Sequence, residues 1–584
     1  QTGTTPKEAV HQDLLFEILD PEESGIHFQN KLVESTSMNG IVDNYYYNGA
    51  GVATGDFNKD GLQDIYFLAT LSPNKFYINR GKMQFEDVSA ASGLEVVEGY
   101  QTGVAAVDIN ADGWLDLYLS NSGKFNRADD GISENPEIRK NKLYINQGVN
   151  QDGIPTFLEK SAEYGLDIDL YSTQAAFLDY DRDGDLDLFL INQFPDDYDV
   201  HDIGKLIARE SALTGDRLYE NRNGKFFEVT RQAGLTNNGI VCDLGVAVGD
   251  VNNDGWPDVY VSNDLPGKDE LYMNNRDGTF KKSIDQSIRH IPYASMGNDM
   301  ADFNNDGWLD IFTLDMASED NLSMKTSIKI MRAALYEALA GLGLHHQYMT
   351  NALQLNHGVH HRDQAPQVSD IAQLAGLPAT DWSWGPLVFD MDNDGLKDVF
   401  IANGITRDLI NMDYLMYKNR RFKEFIDGKI DDQEYASSLL NVLPPRQKPD
   451  YFYRNQGDLT FAKMNGSWVE DLPTCNNGSA LADFDNDGDM DVVVNNSCGP
   501  SFIYKNLARE NKLGNFLQLT FNGQINNPMG IGSRIIVRLG SSEQIFEQYL
   551  VRGFQSSSTP VIHVGLGSSQ SVDELTVIWP DGKK

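Results

Sequence analysis

Cysteine is almost missing from this chain: Cys242, Cys475 and Cys498 are the only three in 584 residues. A disulfide framework therefore cannot be what holds it together. No apolar run approaches the ~18–20 residues needed to span a bilayer. Nor is there a signal-peptide stretch near the start, and Gln1 reads as the beginning of a processed or trimmed chain. Positive charge is scarce. Lys and Arg number 47 against 86 Asp and Glu, a formal charge of −39, which argues against nucleic acid as a partner and implies strong self-repulsion. Catalytic signatures are missing too: no Gly-x-Ser-x-Gly, His-Glu-x-x-His or phosphate loop occurs. A glycosidase-type carboxylate pair cannot be singled out among so many acids. Apolar residues still make up 40% and aromatics 10%, enough for a substantial core and too many for a disordered acidic tail.

What the chain does have is a nine-residue loop repeated seven times, with Asp or Asn at positions 1, 3, 5 and 9 and Gly at position 6. The sets are Asp56, Asn58, Asp60 and Asp64; Asp108, Asn110, Asp112 and Asp116; Asp179, Asp181, Asp183 and Asp187; and Asp250, Asn252, Asp254 and Asp258. Asp302, Asn304, Asp306 and Asp310 follow, then Asp390, Asp392, Asp394 and Asp398, and last Asp483, Asp485, Asp487 and Asp491. Oxygen-only ligands at alternate positions around a sharp glycine turn suit a hard cation, and Ca²⁺ tolerates such a loop better than Mg²⁺. Position 7 would offer its backbone carbonyl, which leaves its identity free: Leu62, Trp114, Asp185, Trp256, Trp308, Leu396 and Asp489. The carboxylates of Asp185 and Asp489 are then not ligands. An EF-hand is excluded, because its twelfth position should be a bidentate Glu and is here Phe67 or Leu119. Asp-rich turns without metal are the remaining alternative, disfavoured because three or four carboxylates in nine residues repel one another. The loops hold 24 carboxylates, and seven divalent ions would bring the formal charge from −39 to about −25.

Each loop lies between short apolar runs of strand character, such as Gly51–Gly55 before the first and Ile65–Leu68 after it. A second element follows most loops (Lys75–Asn79, Lys142–Asn146, Arg217–Asn221, Glu270–Asn274, Tyr451–Asn455, Phe502–Asn506), then a third beginning Phe85, Phe157 or Phe226. A hairpin plus two strands per unit predicts a seven-bladed β-propeller. The last blade lacks a fourth strand, and Gly25–Asn30 is the expected replacement, with Phe516–Phe521 as the alternative. Insertions at Ser327–Leu344 and Asp413–Leu440 have helical spacing. Such insertions tend to share one face, often the binding face. Cys475 and Cys498 flank the seventh loop, where a disulfide and two separate buried thiols are equal alternatives.

These units resemble the FG-GAP/VCBS repeats of integrin α-subunit propellers and many bacterial surface proteins. The tail, with Gly530–Arg534, Gly553–Ser557, His563–Gly567 and Trp579–Gly582, resembles the ASPIC/UnbV domain of the cartilage acidic protein family. Thr380–Gly385 is similar to surface lipoproteins of Bacteroidota, which implies a lipid anchor upstream of Gln1 and a place beside an outer-membrane transporter complex. Relatives usually continue beyond Trp579–Gly582, so the last domain reads as cut short.

The expected organisation is all-β: an N-terminal segment at 1–47 with the closing strand, a propeller at 48–510 with helical insertions, and a small β-rich ASPIC/UnbV domain at 511–584. About seven structural Ca²⁺ ions are expected. Function is expected to be non-catalytic: an extracytoplasmic binding or scaffold protein for a protein or glycan partner, with a polysaccharide lyase or hydrolase as the alternative and a rigid spacer as a third. His357, His360 and His361, and the pair His345 and His346, read as surface loops before metal sites. Of Trp382 and Trp384, one reads as core and the other as a candidate sugar platform; Tyr45–Tyr47 reads as strand.

Overall fold

Every acidic loop joins the inner strand of a blade to its neighbour, and position 9 always faces the residue just before position 1: Gly55 pairs with Asp64, Val107 with Asp116, and so on around to Ala482 with Asp491. The backbone needs positive φ twice within each loop, 56–58° at position 4 and 85–99° at position 6, so the recurrent glycine is a conformational requirement. The computed structural model describes residues 14–584 except 97–98, 124, 127–130, 133–134, 194–202, 208–212, 236–240, 266, 328–332, 360–364 and 524–525.

Blade one comprises Val52–Gly55, Asp64–Phe67, Lys75–Asn79 and Phe85–Asp87. Blades two to six repeat this antiparallel order. The inner strands touch in sequence, and Asn476–Ala482 of blade seven touches Val52–Gly55 of blade one, closing a seven-bladed propeller. Closure uses neither expected segment. Phe16–Leu19 supplies blade seven's outer strand, pairing antiparallel with Phe502–Asn506. Gly25–Asn30 is separated from it by the capped turn Pro21–Ser24 and runs as coil across the seam between blades seven and one. There Phe28 stacks on Phe67 with ring centres 4.8 Å apart. Asn515–Leu519, which overlaps the other candidate Phe516–Phe521, pairs instead with Ile562–Gly567 in the C-terminal module.

Asparagines tie six of the seven blades to the one before; in blade three Asn221 Nδ2 donates to Leu186 O of its own blade. Asn146 Nδ2 donates to Leu115 O in its own blade and Phe57 O in blade one. Asn274, Asn356, Asn455 and Asn506 repeat the arrangement. Asn79 reaches back to Phe484 O and so joins blade one to blade seven.

The C-terminal module stands on the loop face. It contains the three-stranded sheet Ser542–Glu547, Arg534–Leu539 and Glu574–Ile578, over a small core of Ile535, Val537, Ile562, Val564 and Leu566. From it, residues 551–558 enter the propeller axis. Gln555 O accepts from Val104 N–H, the hydroxyls of Ser556, Ser557 and Ser558 accept from Val52, Ala106 and Leu481 N–H, and Phe554 packs on Trp384 with ring centres 5.0 Å apart. Inner-strand glycines make room: a Cβ on Gly51 would lie 1.7 Å from Gln555 O, and one on Gly297 would lie 2.5 Å from Gly553 O.

The long insertions leave from the opposite face, between the second and third strands of their blades. Blade five carries helices Asn321–Thr326 and Ala333–Gly341; blade six carries Met412–Ile426 and Asp432–Leu440. Residues 328–332 of the first expected helix lie outside the described residues. Cys475 and Cys498 form a disulfide where strand one of blade seven begins and strand two ends; Cys242 is buried.

Replacing Asn146 by Ala leaves two buried carbonyls unpaired between blades, and denaturant unfolding should show a loss of about 3 kcal/mol. Gly51→Ala should also destabilise the protein, because the axial segment can no longer seat; an unchanged midpoint would count against that packing.

Candidate metal centre: the seven acidic loops

Position 9 is the anchor of each loop. Asp64 Oδ2 accepts from Phe57 N–H at position 2, and its Oδ1 accepts from Asn79 N–H on the third strand. The same pair of bonds is made by Asp116, Asp187, Asp258, Asp310, Asp398 and Asp491. Position 1 organises the turn: in six loops its two oxygens accept from the N–H groups at positions 5 and 6, as Asp108 does from Asp112 and Gly113. Position 5 accepts from position 7 N–H throughout, as in Trp256 to Asp254 and Trp308 to Asp306.

Carboxylate oxygens are brought within 4.8 Å of one another at Asp179, Asp181 and Asp187; at Asp390, Asp392 and Asp398; and at Asp483, Asp485 and Asp491. Positions 1, 3 and 9 therefore converge in these three loops. Asp183 and Asp394 at position 5 lie outside the groups, while Asp487 joins Asp485 and Glu510 in another. The side chains at position 7 also take part in the local polar structure: Asp489 Oδ2 accepts from Arg509 N–H, whereas Asp185 Oδ1 and Asp489 Oδ1 are buried without a partner.

Burial without compensation pushes these groups toward neutrality. Desolvation, together with neighbouring aspartates, raises Asp116 to about 8, Asp179 to about 7, Asp250 to about 7, and Asp108 and Asp392 to about 6. Asp64, Asp187, Asp258, Asp310, Asp390, Asp398 and Asp491 are pushed well above the usual carboxylate range by the same cause. Asp179 Oδ1, Asp392 Oδ1 and Asp485 Oδ1 have no hydrogen-bond partner. Crowded, desolvated carboxylates with orphan oxygens and no nitrogen or sulfur donors fit a hard divalent cation.

The module covers this face. Glu547 Oε2 accepts from Asp250 N–H at 2.9 Å, Gln518 donates to Asp483 at 2.7 Å, and Arg534 donates to Asn253 and to Gly307 O. His563, held neutral by burial with its pKa lowered to about 4, sits 2.7 Å from Asn393 Oδ1.

The other sequence candidates are placed elsewhere. His357 Nε2 meets Ser369 Oγ at 2.9 Å, and His346 Nδ1 meets Tyr336 OH at 2.8 Å. His345 Nε2 lies 3.2 Å from Ile288 O; His360 and His361 lie outside the described residues. Trp382 and Trp384 are both buried, and Trp384 Nε1 donates to Gly404 O at 2.7 Å, so neither is an open sugar platform. Tyr45–Tyr47 forms turns, not a strand, with Tyr46 and Tyr47 buried. Two features escaped the sequence reading: the asparagine clamp, signalled by the Asn that ends each third strand, and the axial path of Gly553–Ser557.

Family models match the chain as FG-GAP-like repeats over residues 56–119, 206–261 and 250–313, and as ASPIC and UnbV over 523–584. Among curated proteins, cartilage acidic protein 1 of Xenopus tropicalis is 22% identical over 555 residues, covering 91% of this chain and 70% of that protein. Human cartilage acidic protein 1 is 24% identical over 253 residues, covering 43% of this chain and 33% of that protein. Among solved structures, the Vibrio cholerae biofilm matrix protein Bap1 aligns with 94% of this chain and 99% of its own at 11% identity and a TM-score of 0.36. Trypanosoma rangeli sialidase aligns with 76% and 59% at 9% identity and a TM-score of 0.35.

Without a cation, a carboxylate whose folded pKa lies above its unfolded value stabilises the fold only while protonated. Chelator-treated protein should therefore be most stable near pH 4 and lose stability as the pH rises through about 6 to 8, the values of Asp108, Asp179 and Asp116. Excess calcium should reverse that trend, as thermal melts across the range would reveal. The chain is thus a propeller protein of FG-GAP-like repeats ending in an ASPIC and UnbV domain, homologous along nine-tenths of its length to cartilage acidic protein 1.

Proposed function

We propose that this is a calcium-stabilised extracellular or cell-surface protein that binds a protein or glycan partner through the insertion-bearing face of its propeller. The observation that carries the reading is the division of the two faces. One is occupied by the acidic loops and the module seated on them, and the axis is filled by residues 551–558. The other carries the helical insertions, where Leu322, Met416 and Ile426 are 72%, 66% and 66% exposed. Apolar side chains held in water on one face are what a docking surface needs.

Calcium would be held by the side chains at positions 1, 3, 5 and 9 and the carbonyl at position 7, neutralising the clustered carboxylates and coupling ion binding to folding. Millimolar external calcium would fill even modest sites, which suits an extracytoplasmic location, including a lipid-anchored place in an outer-membrane assembly. Homology to cartilage acidic protein 1 and the FG-GAP-like repeats support an extracellular setting. No helix among the described residues is long and apolar enough to cross a membrane. Neither the family descriptions nor the relatives' names carry a reaction.

Elemental analysis of purified protein should give about seven calcium ions per chain, and chelation should lower the melting temperature by many degrees. A chelated protein that melts unchanged would falsify the calcium reading. For the docking face, Met416→Glu with Ile426→Glu should abolish co-purification of the native partner while leaving the melting temperature unaltered. Retention of the partner by that variant would move the site elsewhere.

A further inference from the structure

The seven loops share a backbone but not a charge balance. In the first, second, fourth and fifth, position 3 is Asn58, Asn110, Asn252 or Asn304, whose amide donates to the position-5 carboxylate. Those loops carry three acids each at positions 1, 3, 5 and 9. The sixth and seventh carry four, but each has a basic residue immediately before its clamp asparagine. Arg454 reaches Asp392 at 2.8 Å and Asp394 at 3.0 Å, and Lys505 reaches Asp485 at 2.8 Å.

The third loop has no such relief. Like the seventh, it has aspartate at positions 1, 3, 5, 7 and 9, but the residue before the asparagine that ends its third strand is the acid Glu220. Arg222 grips Glu220 at 2.6 and 2.8 Å and is not spent on the loop. The loop's own Arg182 lies over the Trp256 ring of the next loop, 5.1 Å away. Asp183 N–H, which elsewhere would hold the position-1 carboxylate, donates to Asp181. Asp179 is only 6% exposed, and its Oδ1 has no partner.

We infer that the third loop is the tight divalent-cation site of this protein, and that the sixth and seventh are weak sites because Arg454 and Lys505 already stand where positive charge is wanted. The inference rests on the reading of the loops as calcium sites. Affinity in all-oxygen sites follows the number of charged ligands, and a fixed ammonium or guanidinium a few ångströms from the ion opposes its entry. Partial depletion would then leave blade three loaded while blades six and seven empty. Blade seven is also the one completed by Phe16–Leu19, so falling calcium would act first where the ring is closed.

The test is a calorimetric titration of chelator-stripped, full-length protein with calcium chloride. One ion per chain should bind about tenfold more tightly than the next class. Asp181→Asn with Asp185→Asn should remove that step and leave the later ones. Arg454→Met and Lys505→Met, which keep the fold's apolar contacts, should each move one weak step about tenfold tighter. Survival of the tight step in the aspartate variant overturns the inference, as do basic-residue variants with unchanged weak steps. Binding of all ions with one affinity overturns it while leaving the calcium reading intact; a flat titration overturns both. Near-UV circular dichroism at saturating calcium confirms that each variant has folded.

Discussion

The carboxylate at position 9 is the interaction from which the rest of the ring is built. Its two oxygens hold two backbone N–H groups, one inside the loop and one on the third strand, so a single side chain fixes the hairpin turn and the sheet beside it. The N–H it holds on the third strand belongs to an asparagine whose amide, in six of the blades, then reaches the neighbouring blade. Turn, blade and ring are thus joined through adjacent polar atoms. Burial pushes the position-9 groups, among them Asp64 and Asp258, toward the neutral form, a bias the backbone bonds offset only in part.

Much of this was legible in the sequence. Loop period, glycine at position 6 and the alternation of flanking residues report local backbone geometry, and local geometry is what periodicity encodes. The closing strand was not. Gly25–Asn30 alternates like a strand, but a capped turn at Pro21–Ser24 diverts it, and Phe16–Leu19 is too short to stand out. Pairing of Phe16 with Asn506 is a contact between opposite ends of the chain, invisible to any local window. The asparagine clamp was visible as a recurrent letter but not as a role, because its acceptors lie in another blade. One of Trp382 and Trp384 read as a possible sugar platform because aromatic residues look alike before their partners are known; both are buried, and the partner of Trp384 is Phe554.

The C-terminal module turns a ring with an open axis into a solid body. Its hydroxyl-rich segment suits a channel lined by unpaired inner-edge N–H groups, since each serine accepts from a different blade. Arg552 adds an ion pair to buried Asp299 at 3.2 Å. On this face, polar satisfaction and small residues do the packing that larger apolar side chains do elsewhere.

Because residues 551–558 complete the axis and Phe16–Leu19 completes the last blade, the seam must wait for Phe502–Asn506 and the centre for a segment made later still. During synthesis, all seven blades precede the segment that fills their axis, which lies hundreds of residues downstream of the first strand it touches. Such long-range closure slows folding and leaves strand edges open to misassociation. Until its axle arrives, the chain is an unfinished wheel.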